Sequence, residues 1–153
     1  MKIQWALLAE GAIVDARGAL AAVGLAQSVL IAPVLPMGAR RAIILLLSGP
    51  SNEFVPGRPV KFSFHVVPPS GGALFEHKGS IPMASNNFPE LPTGVNISAE
   101  AAFTIKEYGR HVINVSVEPS GHSEMNVELE FYVMKPPGES GTAPRNPEST
   151  GVA

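Results

Sequence analysis

The chain has 153 residues, a length typical of one domain with its own hydrophobic core. Its net charge of −2 at pH 7 gives no electrostatic reason to expect nucleic acid or an anionic membrane as a partner. The absence of cysteine excludes disulfides, thiolate metal ligands and a cysteine nucleophile, while 15 glycines and 15 prolines favour many short elements over long helices.

The first notable segment is residues 19–39, which contain no charged residue and are long enough to cross a bilayer. Arg40 and Arg41 would suit the positive flank of a membrane span. Pro33 and Pro36, however, would break a helix where it has to be continuous. We therefore predict that this segment does not span a membrane.

A strand interpretation explains more of this region. Residues 14–19 place a polar, glycine-containing turn between two runs that favour strands, which is typical of a hairpin. Residues 20–31 then form either one strand buried on both faces or two strands with a kink at Gly24. We predict that this segment belongs to the core of a sheet. Trp5, on the predicted face of Ile3 and Leu7, is assigned to the core as well.

The later strands show clearer patterns. Residues 43–47, IILLL, indicate a central strand, and residues 60–66, 113–117 and 125–133 alternate apolar with polar side chains. The segment EPSG, ending at Gly121, predicts a tight turn between the last two strands. The alternation points these side chains inward: Phe62, Phe64, Leu129 and Phe131.

Together the elements predict an all-β fold, a two-sheet antiparallel β-sandwich of roughly eight or nine strands, with a small closed barrel as the alternative. The domain is expected to cover residues 1–135. Residues 136–153 are rich in proline, glycine and serine and are predicted to be a disordered tail.

The longest loop inside the domain, residues 81–94, could carry a binding surface at low cost to the fold. Asn86, Asn87 and Phe88 lie in it, and Phe88 is the one large aromatic residue offered by a loop. Tyr132 lies on the predicted outer face of the last strand. These four residues are the candidate partner-binding residues.

Four histidines raise the question of a metal site. His65, His77, His111 and His122 fall on four different predicted elements without ligand spacing, and Asp15 is the only aspartate. We interpret them as exposed strand or turn residues and predict no metal and no other cofactor. No serine lies in a glycine-flanked elbow followed by a helix, so no catalytic residue is assigned.

The segments WALLAEGAIVDARGALAAVGLAQSVL, ELPTGVNISAEAAF, YGRHVINVSVEPSG and ELEFYV resemble a family of small uncharacterised bacterial and phage proteins, a domain of unknown function. The resemblance covers residues 5–133. The chain departs from the family pattern at Ala19, where lysine is usual, and at Gln27, where tryptophan is frequent. The resemblance implies a β-sandwich in the cytoplasm or, if phage-encoded, in the virion, with no catalytic residues.

Two classes of function remain. The first is a non-catalytic interaction or structural protein that docks onto a larger assembly through a protein partner, with self-association left open. The alternative is a small enzyme or metal-dependent β-barrel that uses the scattered histidines.

Overall fold

The computed structural model describes residues 1–16, 19–25, 28–83 and 90–138. The strands in this part of the chain are β1 (Lys2–Ala9), β2 (Gly11–Val14), β3 (Leu20–Val23), β4 (Val29–Ile31), β5 (Met37–Gly49), β6 (Pro59–Val67), β7 (Phe75–Pro82), β8 (Thr93–Ile105), β9 (Gly109–Pro119) and β10 (Met125–Met134). A short 3-10 helix, Ser51–Glu53, follows β5. The candidate residues Asn86, Asn87 and Phe88 and the tail residues 139–153 lie outside the described residues.

The strands form a three-stranded sheet in the order β1-β5-β8, a five-stranded sheet in the order β4-β10-β9-β6-β7, and the hairpin β2-β3. The predicted all-β fold with two main sheets is confirmed, but the described residues also form a small two-stranded sheet and contain ten strands rather than eight or nine. One pair departs from the antiparallel prediction, since β4 runs parallel to β10. Within the described residues β4 and β7 each pair with one strand only, so the five-stranded sheet is open rather than a closed barrel.

The core lies between the three-stranded and five-stranded sheets. Alternate residues of β6, β9 and β10 point into it, as the period of two predicts. Phe64 and Phe131 are the largest fully buried side chains, and Phe62 packs with them. Leu129 is partly buried against the same cluster. The predicted inward register of β6 and β10 is therefore confirmed.

Strand β5 is buried on both faces, as predicted for a central strand. Leu45 and Leu47 point into the main core, whereas Ala42 and Ile44 belong to a second apolar cluster on the opposite face. The hairpin β2-β3 covers that face by packing Ala12, Leu20 and Ala22 against it. The molecule therefore has a thin third layer over part of the three-stranded sheet.

The prediction that Trp5 shares the face of Ile3 is wrong. Ile3 pairs with Leu47 but Trp5 pairs with Leu46, so β1 carries one extra residue at this point. Such a bulge moves the following side chains to the opposite face. Trp5 consequently packs in the second cluster under the hairpin instead of the main core.

Residues 19–39 contain β3, β4 and the first part of β5. No helix among the described residues is long and apolar enough to cross a membrane. Of the two predicted alternatives, the structure has two strands, which belong to different sheets, and Gly24 after the first of them has φ +63°. The prediction that residues 20–31 are sheet core holds for one face only: Leu20 and Leu30 pack against apolar clusters, whereas Val23 and Ile31 are exposed. Both strands are short and lie at the periphery, so only one face of each can be covered.

Candidate functional site

The outer face of the hairpin β2-β3 is apolar and open to solvent. Ile13 pairs with Ala21, and Gly11 pairs with Val23, so all four share one face. Ile13 and Val23 are 73% and 70% exposed, and Leu25 just beyond β3 is 53% exposed. We call Ile13, Ala21, Val23 and Leu25 the hairpin surface.

Local hydrogen bonds hold the hairpin in place. Asp15 N donates to Ala19 O at 2.9 Å, and Ala19 N donates to Asp15 Oδ1 at 2.9 Å. At the other end, Glu10 N donates to Val23 O at 3.0 Å. Because its inner face is also packed, the hairpin presents its outer apolar face on an ordered support.

A second exposed apolar group lies where β4 meets β10. Val29 pairs with Tyr132 and Ile31 pairs with Met134, so the four side chains share the outer face of the five-stranded sheet. Their exposures are 45% for Val29, 49% for Ile31, 38% for Tyr132 and 51% for Met134. We call these four residues the β4 edge. Of the predicted partner-binding residues, Tyr132 is the one that the structure describes.

Most of the rest of this outer face is polar, apart from the pair Val67 and Val112. An open cleft of about 580 Å³ runs over β6, β7 and β9, and its lining includes Lys61, Ser63, Lys78 and Ser116. The charges on this face are paired: Lys61 Nζ lies 3.7 Å from Glu118 Oε2. Exposed pairs of this kind contribute about 0–1 kcal/mol each to stability.

Arg110 forms the most extensive ion pair on this face. Its Nη2 donates to Glu128 Oε1 at 2.7 Å and its Nε donates to Glu130 Oε2 at 2.6 Å. The hydrogen bond to Glu130 is the main cause that raises the pKa of Arg110. On this face Lys61, Lys78 and Arg110 each lie beside at least one carboxylate.

Lys78 controls the titration of one carboxyl group on this face. Its Nζ lies 2.7 Å from Glu76 Oε1, and this hydrogen bond, with the lysine charge, lowers the pKa of Glu76. We expect Lys78→Met to raise the pKa of Glu76, because the carboxylate loses both stabilising effects. An NMR titration of the Glu76 side-chain carboxyl carbon measures this. Lys61→Met is the matched control and should leave that titration unchanged.

Two polar side chains are buried among apolar residues. His111 is fully buried, with its ring stacked 5.0 Å from that of Phe131 and its Nδ1 3.2 Å from Gly109 O. Its Nε2 has no hydrogen-bond partner among the described residues. The prediction that all four histidines are exposed is therefore wrong for His111. Arg41 is also buried, and burial lowers its pKa against the opposing effect of Glu10.

The structure keeps the histidines apart. His65 lies on the outer face of β6 with Nε2 3.7 Å from Glu76 Oε1, whereas the ring of His77 stacks 5.1 Å from that of Phe64. His111 is in the core, and His122 lies in the turn before β10. In the described ranges, no three histidine, aspartate or glutamate side chains are placed to share a metal ion.

This placement leads to a prediction about metal removal. Dialysis of the full chain against a chelator should leave its melting temperature unchanged, because no element of the described fold depends on a shared ligand set. Elemental analysis before and after dialysis, with differential scanning calorimetry, measures this. A transition metal that copurifies stoichiometrically and whose removal lowers the melting temperature would contradict it.

No protein-family model and no curated protein matches this chain. The resemblance to small bacterial and phage sandwich proteins therefore stays a prediction.

Sequence reasoning did not find the hairpin surface, nor Val29, Ile31 and Met134 of the β4 edge. The nearest signal in the sequence is Pro33, two residues after β4, which limits how far this strand can extend.

Proposed function

We propose that this protein is a non-catalytic interaction module that docks onto a larger protein assembly through the hairpin surface. The observation that carries the proposal is that the hairpin is apolar on both faces. The inner face is packed against the second cluster, but Ile13 and Val23 on the outer face stay in solvent. Exposed apolar residues grouped on one element are typical of protein interaction sites.

Energetics support this use of the surface. Fully burying an isoleucine or valine side chain contributes about 1.5–3 kcal/mol, so Ile13 and Val23 together could anchor a partner. The strands GAIV and LAAV contain no charged side chain that would have to be desolvated. Because the inner face of the hairpin is already packed, little further ordering of its strands is needed for docking.

The polar groups on the sheet face support a non-catalytic role. The Ser116 hydroxyl donates to Glu124, while the imidazole of His65 lies beside Glu76, so hydroxyl and imidazole are engaged with different carboxylates. A nucleophilic mechanism requires the hydroxyl and its base within hydrogen-bond reach of one another. The resemblance to bacterial and phage proteins makes a virion component a specific form of this proposal.

The test compares the full chain with the double variant Ile13→Ser, Val23→Ser. Both are expressed in cells of the organism from which the protein comes. A photo-crosslinker placed at Ala21 should join the wild-type chain to a defined protein, and the double variant should lose most of that product. Leu91→Ser, which changes another exposed apolar residue, is the matched control and should retain it. Circular dichroism and melting curves must show that all three chains are folded. An unchanged crosslinked product in the double variant would contradict the proposal.

A further inference from the structure

The outer flank of β4 is an open sheet edge. Tyr132 N donates to Ser28 O at 2.6 Å and Ala32 N donates to Met134 O at 2.8 Å, which fixes the ladder between β4 and β10. In a parallel ladder, alternate residues of a strand turn their backbone groups toward opposite neighbours. Ser28, Leu30 and Ala32 therefore face β10, and the N–H and C=O groups of Val29 and Ile31 face away. β4 pairs with no other strand in the part of the chain that the structure describes.

The side chains do not protect this edge. Edge strands of native proteins are usually blunted by charged residues, and β7 at the other end of the sheet carries Glu76 and Lys78. Strand β4 consists of VLI, with Val29 and Ile31 about half exposed. Val29 and Ile31 thus combine backbone groups that face away from β10 with exposed apolar side chains.

From this geometry we infer that a second copy of the chain pairs antiparallel along β4, about a two-fold axis at Leu30. Val29 then lies opposite Ile31 of the partner subunit, and each such pair exchanges two backbone hydrogen bonds. Val29 and Ile31, whose backbone groups face away from β10 and pair with no strand among the described residues, lie symmetrically about Leu30, so self-pairing satisfies them on both copies at once. The two five-stranded sheets become one continuous sheet across the dimer.

Charge favours a second copy as the occupant. An isologous contact brings identical surfaces together, so any charge on the strand would meet a like charge near the axis. The β4 edge consists of Val29, Ile31, Tyr132 and Met134 and has no charge to repel its copy. Arg110, across from Tyr132 on β9, is already paired with two carboxylates of β10. The contact is small, so the dimer is expected to be reversible and concentration-dependent.

This interface uses other residues than the hairpin surface, on a strand of a different sheet, and does not rest on the proposed docking function. Sedimentation velocity of the full chain from about 1 μM to about 1 mM should show a monomer–dimer equilibrium. A chain that stays monomeric over this range would overturn the inference.

Two double variants test the register. In Val29→Lys, Ile31→Lys, lysines lie opposite lysines, whereas in Val29→Glu, Ile31→Lys each glutamate lies opposite a lysine of the other copy. At low salt, we expect the dimer dissociation constant of the first variant to be at least about tenfold higher than that of the second. The difference between the two variants should become smaller at roughly 1 M salt, which screens the charges. Equal dissociation constants for the two variants would overturn the inferred pairing.

A measurement on the wild-type chain avoids any effect of the substitutions on folding. In a mixture of isotope-labelled and unlabelled chains, isotope-filtered NMR should show contacts between the methyl groups of Val29 in one copy and Ile31 in the other. A dimer that lacks these intermolecular contacts would overturn the inference even if it forms at low concentration.

Discussion

Phe64→Ala should lower the free energy of unfolding by about 3–5 kcal/mol, the range for truncating a buried phenylalanine. Phe64 is 1% exposed and its ring stacks 5.7 Å from that of Phe62 and 5.1 Å from that of His77. Truncation removes these contacts and leaves a cavity that the two sheets can close only in part. Phe131→Ala should cost a similar amount, because Phe131 is fully buried against Phe103 and His111. Urea unfolding followed by circular dichroism measures both.

Ser63→Ala is the matched control for Phe64. Ser63 is the preceding residue on β6 and points to the outer polar face, so its truncation should change the free energy of unfolding by no more than about 0.5 kcal/mol. Equal losses for Ser63→Ala and Phe64→Ala would contradict the inward register of β6.

Gly79→Ala should destabilise the fold by about 1–3 kcal/mol, the usual cost of overpacking a core. Gly79 pairs with Phe62 across β6 and β7, and a Cβ at Gly79 would lie 2.3 Å from Cζ of the Phe62 ring. The ring cannot move aside freely, because it is nearly buried and stacked on Phe64. Thermal and urea unfolding of the variant measure the loss.

Two further variants show whether the Phe62 ring is the cause. Gly38→Ala adds a methyl group to another strand, where a Cβ meets nothing within 4 Å, and it should leave stability unchanged or raise it slightly. In a chain that already carries Phe62→Leu, Gly79→Ala should lower the free energy of unfolding by less than it does in the wild-type chain. A double-mutant cycle measures this coupling. Additive losses would show that the clash lies elsewhere.

The strands predicted well from the sequence are those with one apolar and one polar face. In β6 and β10 every second residue is apolar, so the period of two defines both the strand and its inward face. The turn at Gly121 between β9 and β10 could be predicted for a similar local reason, because EPSG supplies both the proline and the residue with positive φ. The glycine-containing turn between β2 and β3 was readable in the same way.

Features that depend on distant parts of the chain could not be predicted from the sequence. The bulge before Trp5 is set by the pairing of β1 with β5, and no local residue marks it. His111 continues the inward alternation of β9, but a polar ring there was interpreted as exposed. The apolar run at 20–31 was assigned to the core because burial is the usual fate of such residues. Its exposure follows from the peripheral positions of β3 and β4.

The candidate site was predictable only in part. Alternation places Tyr132 on the outer face of β10, and the structure agrees. Its apolar neighbours come from β4, which is about a hundred residues away in the chain and parallel to β10. A contact across that separation has no local signature, so the β4 edge could be recognised only from the assembled sheet.

The same separation affects how the protein emerges from the ribosome. The only described pairing partner of β4 is the last strand, so Val29 and Ile31 leave the exit tunnel long before β10 has been translated. At about 5–20 residues per second, this delay is roughly 5–20 s. During that interval the nascent chain exposes an uncharged strand with neither flank paired. Exposed apolar strands of this kind are the segments that chaperones shield and through which neighbouring nascent chains can associate.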